Sequence, residues 1–122
     1  MTLAHLQASL RDFAAERDWQ QFHTPKNLVM ALAGEVGELT EIFQWLSEDA
    51  SRQVMDDGQT AREVRDELAD VFGYLLRLAD VLEVDLASAL EAKIERNGIR
   101  YPVTTSRGSA LKYTRLPQQD AP

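Results

Sequence analysis

Four carboxylates are set apart from the other acids of this chain by their register. Glu35 and Glu38 sit in the run Glu-Val-Gly-Glu, and Glu67 and Asp70 in Glu-Leu-Ala-Asp, the two pairs being offset by 32 residues. The apolar residues around them repeat at the same offset: Leu32, Val36, Leu39, Phe43 and Leu46 correspond to Val64, Leu68, Val71, Leu75 and Leu78. At roughly 100° per residue of helix, Glu35 and Glu67 fall about 55° from the centre of their apolar stripes, and Glu38 and Asp70 about 60° further round on the same edge. Glu41 lies further out again and is expected to be solvated. If the two helices pack side by side, four acids converge on one partly buried patch. Like charges held so close raise one another's pKa or require a counter-charge, and a divalent cation answers that need through hard oxygen ligands.

The donor set narrows the ion. The chain has no cysteine and two histidines, His5 and His23, neither three residues after an acid as in a Glu-x-x-His di-iron bundle. A ligand set without imidazole or thiolate favours Mg²⁺, with Mn²⁺ as a substitute. The plainer explanation is that each Glu-x-x-Glu is a solvated helix face, and that both stripes exist because every bundle helix needs one. Other side chains could serve an anionic ligand held by the cation. Lys93, Arg96 and Arg100 form a cationic group near the end of a helix, where they would equally complement the helix dipole. Trp19, Trp45 and Tyr74 could stack on a base, or serve as core or interface residues.

These residues need helices to position them, and the periodicity supplies four. Leu3, Leu6, Leu10 and Phe13 define a first amphipathic helix ending between Asp18 and His23. Thr24-Pro25 predicts the N-cap and first position of a second, whose stripe runs from Leu28 to Leu46. The polar stretch 47–59 reads as a loop. Thr60 with Glu63 reads as a capping box opening a third helix, with the stripe Val64, Leu68, Val71, Leu75, Leu78 and Leu82. Phe72, Leu76 and Ala79 widen that apolar surface, which calls for cover on more than one side and hence for oligomerisation. Asp85 predicts the cap of a fourth helix carrying Leu86, Leu90 and Ile94, with Asn97-Gly98 as its left-handed end. The fold class expected is all-α, of the four-helix-bundle type. Residues 1–103 form the expected domain, and 104–122, rich in turn residues and without periodicity, a flexible tail.

With 122 residues, 44% of them hydrophobic, the chain suits one globular domain rather than disorder. Its net charge of −7 argues against a nucleic-acid polymer or an anionic membrane surface as partner. No apolar run approaches the length of a spanning helix and no signal pattern opens the chain, so a soluble cytoplasmic protein is expected.

Several segments are similar to a known family. Phe13-Ala-Ala-Glu-Arg-Asp-Trp19, Phe22-His23-x-Pro25-x-Asn27-Leu28, Gly34-Glu-Val-Gly-Glu-Leu39 and Phe43-Gln-Trp45 resemble the dCTP pyrophosphatases, a branch of the all-α MazG-like nucleotide pyrophosphohydrolases. Glu67-Leu-x-Asp70-Val71, Tyr74-Leu75, Val84-Asp-Leu86, Lys93, Asn97 and Arg100-Tyr-Pro102 extend the resemblance, which covers about residues 6 to 103. It implies Mg²⁺-dependent hydrolysis of a deoxynucleoside triphosphate, most simply dCTP or a 5-modified dCTP, to the monophosphate and pyrophosphate. It also implies a homotetramer, a dimer of dimers, with sites near subunit contacts. Glu35, Glu38, Glu67 and Asp70 would be the metal ligands and the catalytic acids. Trp19, Trp45, Tyr74 and Asn97 would recognise base and sugar, and Lys93 and Arg100 would meet phosphate. Two positions depart from the family pattern: Leu10 stands where a family member has a histidine near the nucleotide, and Gly98-Ile99 replaces a more basic pair. Two other readings share these residues: a broader pyrophosphatase for dUTP or modified nucleotides, and a non-enzymatic Mg²⁺-binding helical oligomer.

Overall fold

A computed structural model describes residues 1–117, and all regular elements among them are helical. The chain divides into two compact units, Met1–Val84 and the part beginning at Asp85.

The first unit holds α1 (Leu3–Glu16), α2 (Pro25–Phe43), α3 (Glu48–Arg52) and α4 (Gly58–Val81). Helix α2 begins where the sequence places it: Pro25 occupies the first turn, and Thr24 Oγ1 accepts from Asn27 N at 3.2 Å. Helix α1 stops because Asp18 turns left-handed (φ 53°), which lets Trp19 N donate to Ala14 O at 2.9 Å and Asp18 N to Ala15 O at 3.1 Å. Helix α4 ends by the same device, with Glu83 at φ 57° and Val84 N on Ala79 O at 2.8 Å. Both ends satisfy the last carbonyls without a glycine, against the usual preference for one.

Two local expectations change. The polar stretch 47–59 contains α3, capped by Ser47, and a 3₁₀ turn over Val54–Asp56. Helix α4 starts earlier than the Thr60–Glu63 box: Asp57 is the N-cap, and its Oδ2 accepts from Thr60 N at 3.0 Å and Thr60 Oγ1 at 2.8 Å.

Helix α4 is the axis of this unit, packing on α2 along much of its length and on α1 near its C-terminal half. Leu28, Ala14, Ala61, Val64, Leu76 and Ala79 are its buried apolar residues. Leu68, Leu75 and Leu82, expected on the inward stripe, remain 51%, 40% and 51% exposed, whereas Leu76 and Ala79, expected beside that stripe, are buried. The face of α4 that meets α1 and α2 is therefore rotated from the main stripe.

The second unit holds α5 (Leu86–Arg100), α6 (Val103–Ser106) and a 3₁₀ turn over Tyr113–Arg115. Asp85 caps α5 as expected, accepting from Ser88 N at 3.0 Å. Gly98 does not end the helix. It continues to Arg100, Tyr101 N still bonds Asn97 O at 2.8 Å, and the chain leaves at Pro102. Residues 104–117, expected to lack regular structure, include most of α6 and the Tyr113 turn, whose ring meets Tyr101 edge-on at 6.0 Å. The remainder of the expected tail, 118–122, lies outside the described residues.

Candidate functional site

The carboxylates of Glu35, Glu38 and Glu67 come together: one oxygen of each lies within 4.8 Å of the other two. Packing of α2 against α4 produces this, since each helix presents its acid pair on the edge of the shared contact. Glu35 and Glu67 are half-buried, and Glu38 is exposed. Among the described residues, Oε2 of Glu35 and Oε2 of Glu67 are shielded from solvent and have no hydrogen-bond partner. Two such orphans in one place are costly unless something else satisfies them. The strain shows in their acidity. Burial first, then carboxyl contacts with Glu38 and Glu67 and the charges of Glu38 and Asp70, push Glu35 up to about 7. Burial also raises Glu67. Oxygen ligands of a hard divalent ion lie up to roughly 4–5 Å apart across it, twice a metal–oxygen distance of about 2.0–2.6 Å. The three oxygens and their two orphaned atoms fit such an ion.

Asp70 is not in the three-oxygen group. It is close enough that its charge raises both Glu35 and Glu67, yet it opens on a different cavity. Glu38 and Glu67 line a cleft of about 760 Å³ that is walled in part by Ala50 of α3 and by Gln53 just past its end. Glu41 and Glu63 line the same cleft, and Glu41 is solvent-exposed there, as its position further round the helix predicts. The signal for them was available, because Glu41 is three residues after Glu38 and Glu63 four before Glu67, continuing the same edges.

The second cavity, about 280 Å³, brings Asp70 together with Trp19, Tyr74, Phe13, His23 and Arg77. Trp19 is fixed by the left-handed end of α1 and by an edge-on contact with Phe13 at 5.8 Å. Tyr74 follows Asp70 by one turn of α4. Gly73 keeps this side open: a Cβ there would meet no atom within 4 Å. Of the aromatic residues expected to touch a base, Trp19 and Tyr74 are thus together. Trp45 is not with them; it lies just past the end of α2 and is 88% exposed.

Behind this cavity lies a polar chain that sequence reasoning did not find. Arg11 donates to Asp80 through two nitrogens, at 2.7 and 3.0 Å; Arg77 donates to Asp80 at 3.1 Å and to His23 Nδ1 at 3.0 Å. Arg77 is 8% exposed. Arg11, outweighing burial, holds the Asp80 carboxyl below its usual range. Burial, then the Arg77 charge, lowers His23. Partners 54 and 69 residues apart leave no periodic trace in sequence.

Lys93, Asn97 and Arg100 all belong to α5 in the second unit. Lys93 and Asn97 share a helical face; Asn97 is half-buried and Lys93 exposed. The Arg100 guanidinium lies 4.9 Å over the Tyr113 ring.

Helices that bring paired acids together beside an aromatic cavity define an all-helical protein with a candidate cation centre. The MazG-like family model matches residues 31–116, and the chain belongs to that family. It is 48% identical over 117 residues to dCTP pyrophosphatase 1 of Mus musculus, covering 96% of this chain and 69% of that one. It is 45% identical over 119 residues to dCTP pyrophosphatase 1 of Homo sapiens, covering 95% and 68% respectively. Among solved structures, a pyrophosphatase from Archaeoglobus fulgidus superposes with a TM-score of 0.76 at 43% identity, covering 81% of this chain and 91% of the other.

Proposed function

We propose that this chain is a Mg²⁺-dependent nucleoside triphosphate pyrophosphohydrolase that converts dCTP, or a 5-substituted dCTP, to the monophosphate and pyrophosphate. The observation that carries the reading is the group of three carboxylate oxygens within 4.8 Å, two of the three acids having a shielded, unpartnered oxygen, next to an aromatic cavity. The name shared by the curated relatives supports the substrate. Glu35, Glu38, Glu67 and Asp70 would hold the ion. When bound, Mg²⁺ supplies neutralisation of phosphate charge and Lewis acidity at the phosphorus to be attacked.

The chain's own residues do the rest. Trp19 and Tyr74 receive the base, with Asp70 on the wall of their cavity and Glu67 one turn back along α4. A nucleotide laid along α4 with its base at Tyr74 brings its α-phosphorus to the Glu67–Asp70 turn. Water attacks there, pyrophosphate leaves, and one of the four carboxylates takes the water's proton. By the family resemblance alone, Trp45 and Asn97 are assigned to base and sugar, and Lys93 and Arg100 to phosphate. The active species is a homo-oligomer, a tetramer built as a dimer of dimers, serving the cytoplasmic nucleotide pool. No helix among the described residues is long and apolar enough to cross a membrane.

Hydrolysis measured over dCTP, 5-methyl-dCTP, dUTP, dTTP and CTP with Mg²⁺ tests the reading, and dCTP or its 5-substituted form should lead. Mn²⁺ should substitute. Glu38→Gln and Asp70→Asn should each cost at least about a hundredfold in turnover while far-ultraviolet circular dichroism stays unchanged. Wild-type turnover in both variants would overturn the site. Equal rates on dUTP and modified nucleotides would favour the broader pyrophosphatase. Calorimetry showing no Mg²⁺-dependent dCTP binding would favour the non-enzymatic oligomer.

A further inference from the structure

The polar chain behind the smaller cavity has a consequence for what that cavity can read. Arginine is always protonated and has no acceptor atom, so the contact between Arg77 Nε and His23 Nδ1 at 3.0 Å makes Nδ1 the acceptor. A neutral imidazole carries one proton, which must then sit on Nε2. His23 is neutral around pH 7, because burial and the Arg77 charge both disfavour its cation. Neither partner is free to drift. Arg77 is buried and tied to Asp80, which Arg11 grips through both carboxylate oxygens. His23 sits between the 3₁₀ turn Gln20–Phe22 and the Thr24 cap, and Asn27 Nδ2 closes that connection on Phe22 O at 3.0 Å. The cavity lined by Trp19 and Tyr74 therefore contains an imidazole fixed in one tautomer, with a donor and no free acceptor.

We propose that His23, locked by Arg77, is a specificity-determining residue: its Nε2–H donates to the unprotonated ring nitrogen N3 of a cytosine base. This rests on the reading of the site as a deoxynucleotide pyrophosphohydrolase and adds the basis of its discrimination. Cytosine offers a lone pair at N3. Uracil and thymine carry a hydrogen there, so two donors would face one another and the base would lose a bond it makes in water. One such mismatch in a desolvated site is worth about 10- to 100-fold in kcat/KM. Arg77 spends its Nε–H on His23 Nδ1 and acts through that imidazole, as a positioning residue. Freed of it, the imidazole could move its proton to Nδ1 and accept from N3–H.

The experiment compares kcat/KM for dCTP and dUTP in the wild type and in His23→Leu, His23→Gln and Arg77→Met, with Mg²⁺ at pH 7.5. His23→Leu should lower dCTP efficiency about 10- to 100-fold, mainly through KM, and leave dUTP nearly unchanged, so the ratio collapses. His23→Gln can present either its NH₂ or its carbonyl. It should keep dCTP within a few-fold and raise dUTP. Arg77→Met should raise dUTP likewise, with Asp80 still held by Arg11. A purely structural role for His23 would lower both substrates together and preserve the ratio. An unchanged dCTP-to-dUTP ratio in His23→Gln overturns the proposal, and that variant decides the matter if His23→Leu fails to fold. A wild type that hydrolyses no deoxynucleoside triphosphate would instead overturn the proposed function itself.

Discussion

Glu35 is held where its charge is unwelcome: burial and three neighbouring acids push its carboxyl up to about 7, against an ordinary value of 4.5. A raised acid stabilises the fold relative to the unfolded chain only while protonated. Its contribution is complete below about 4.5 and is lost as pH rises through about 7. The metal-free protein should therefore lose thermal stability between pH 5 and pH 7.5. Glu35→Gln, which keeps the shape and removes the charge, should raise the Tm of the metal-free protein at pH 7.5 and flatten that pH dependence. Differential scanning calorimetry across the range checks both. The same substitution should abolish Mg²⁺ stabilisation, since the position gives up stability to bind a cation. Because a ligand carboxylate must be deprotonated, apparent Mg²⁺ affinity should rise about tenfold per pH unit below 7 and level off above it. Titration calorimetry from pH 6 to 8 measures this, and a flat profile would count against Glu35 as a ligand.

Helix ends carry the next level of specification. Asp57 holds Thr60 through both its backbone N–H and its hydroxyl, and these bonds keep the Asp57 carboxyl below its usual range. A depressed acid stabilises above its unfolded value and loses that effect as pH falls through the folded one. Asp57→Ala should accordingly lower Tm at pH 7, and the deficit should shrink under acid conditions. Glu83 is the opposite case, a bulky residue in the left-handed region at φ 57°. Glu83→Gly relieves that strain and should gain up to about 1 kcal/mol, read by chemical denaturation, less the entropy a glycine returns to the unfolded chain. Such details show what the sequence made legible. Thr24-Pro25 and Asp85 were readable as starts because each cap acts within four residues. Thr60 misled because Asp57, three residues earlier, reaches the same amide and extends the helix by a turn. Gly98 misled because Pro102 ends α5: a residue before proline is driven out of the helical region, and Tyr101 sits at φ −123°, ψ 67°. Five-residue α3 is too short to show a period. The carboxylates were legible since two long helices repeat one register. The His23–Arg77–Asp80–Arg11 chain was not, since only tertiary folding brings His23 and Arg11 to the local Arg77–Asp80 pair.

At the scale of the whole molecule, the described chain leaves apolar surface where a lone globule would cover it. Leu68, Leu75 and Leu82 recur every seven residues on α4 and are 40–51% exposed, with Phe72 between them at 37%. Side chains spaced by sevens form a straight seam along a helix, the arrangement by which one helix packs on another. The fully buried apolar residues are few and mostly small, with Leu28 the largest nearly inaccessible side chain. A second copy presenting the same seam would convert this exposed surface into core. Full burial of a leucine is worth about 1.5–3 kcal/mol relative to exposure, and these three are already half covered, so closing the seam gains about half of that from each, on both subunits, toward the cost of association. Light scattering coupled to size exclusion should give a mass that is a multiple of 13.7 kDa, with four subunits expected. Leu75→Glu, placed mid-seam, should shift that mass down by at least half while helical circular dichroism persists. If subunit contacts complete the nucleotide site, dCTP turnover should fall in the same variant and recover as protein concentration drives reassociation. A wild type that runs as a monomer at micromolar concentration would refute the seam as an interface.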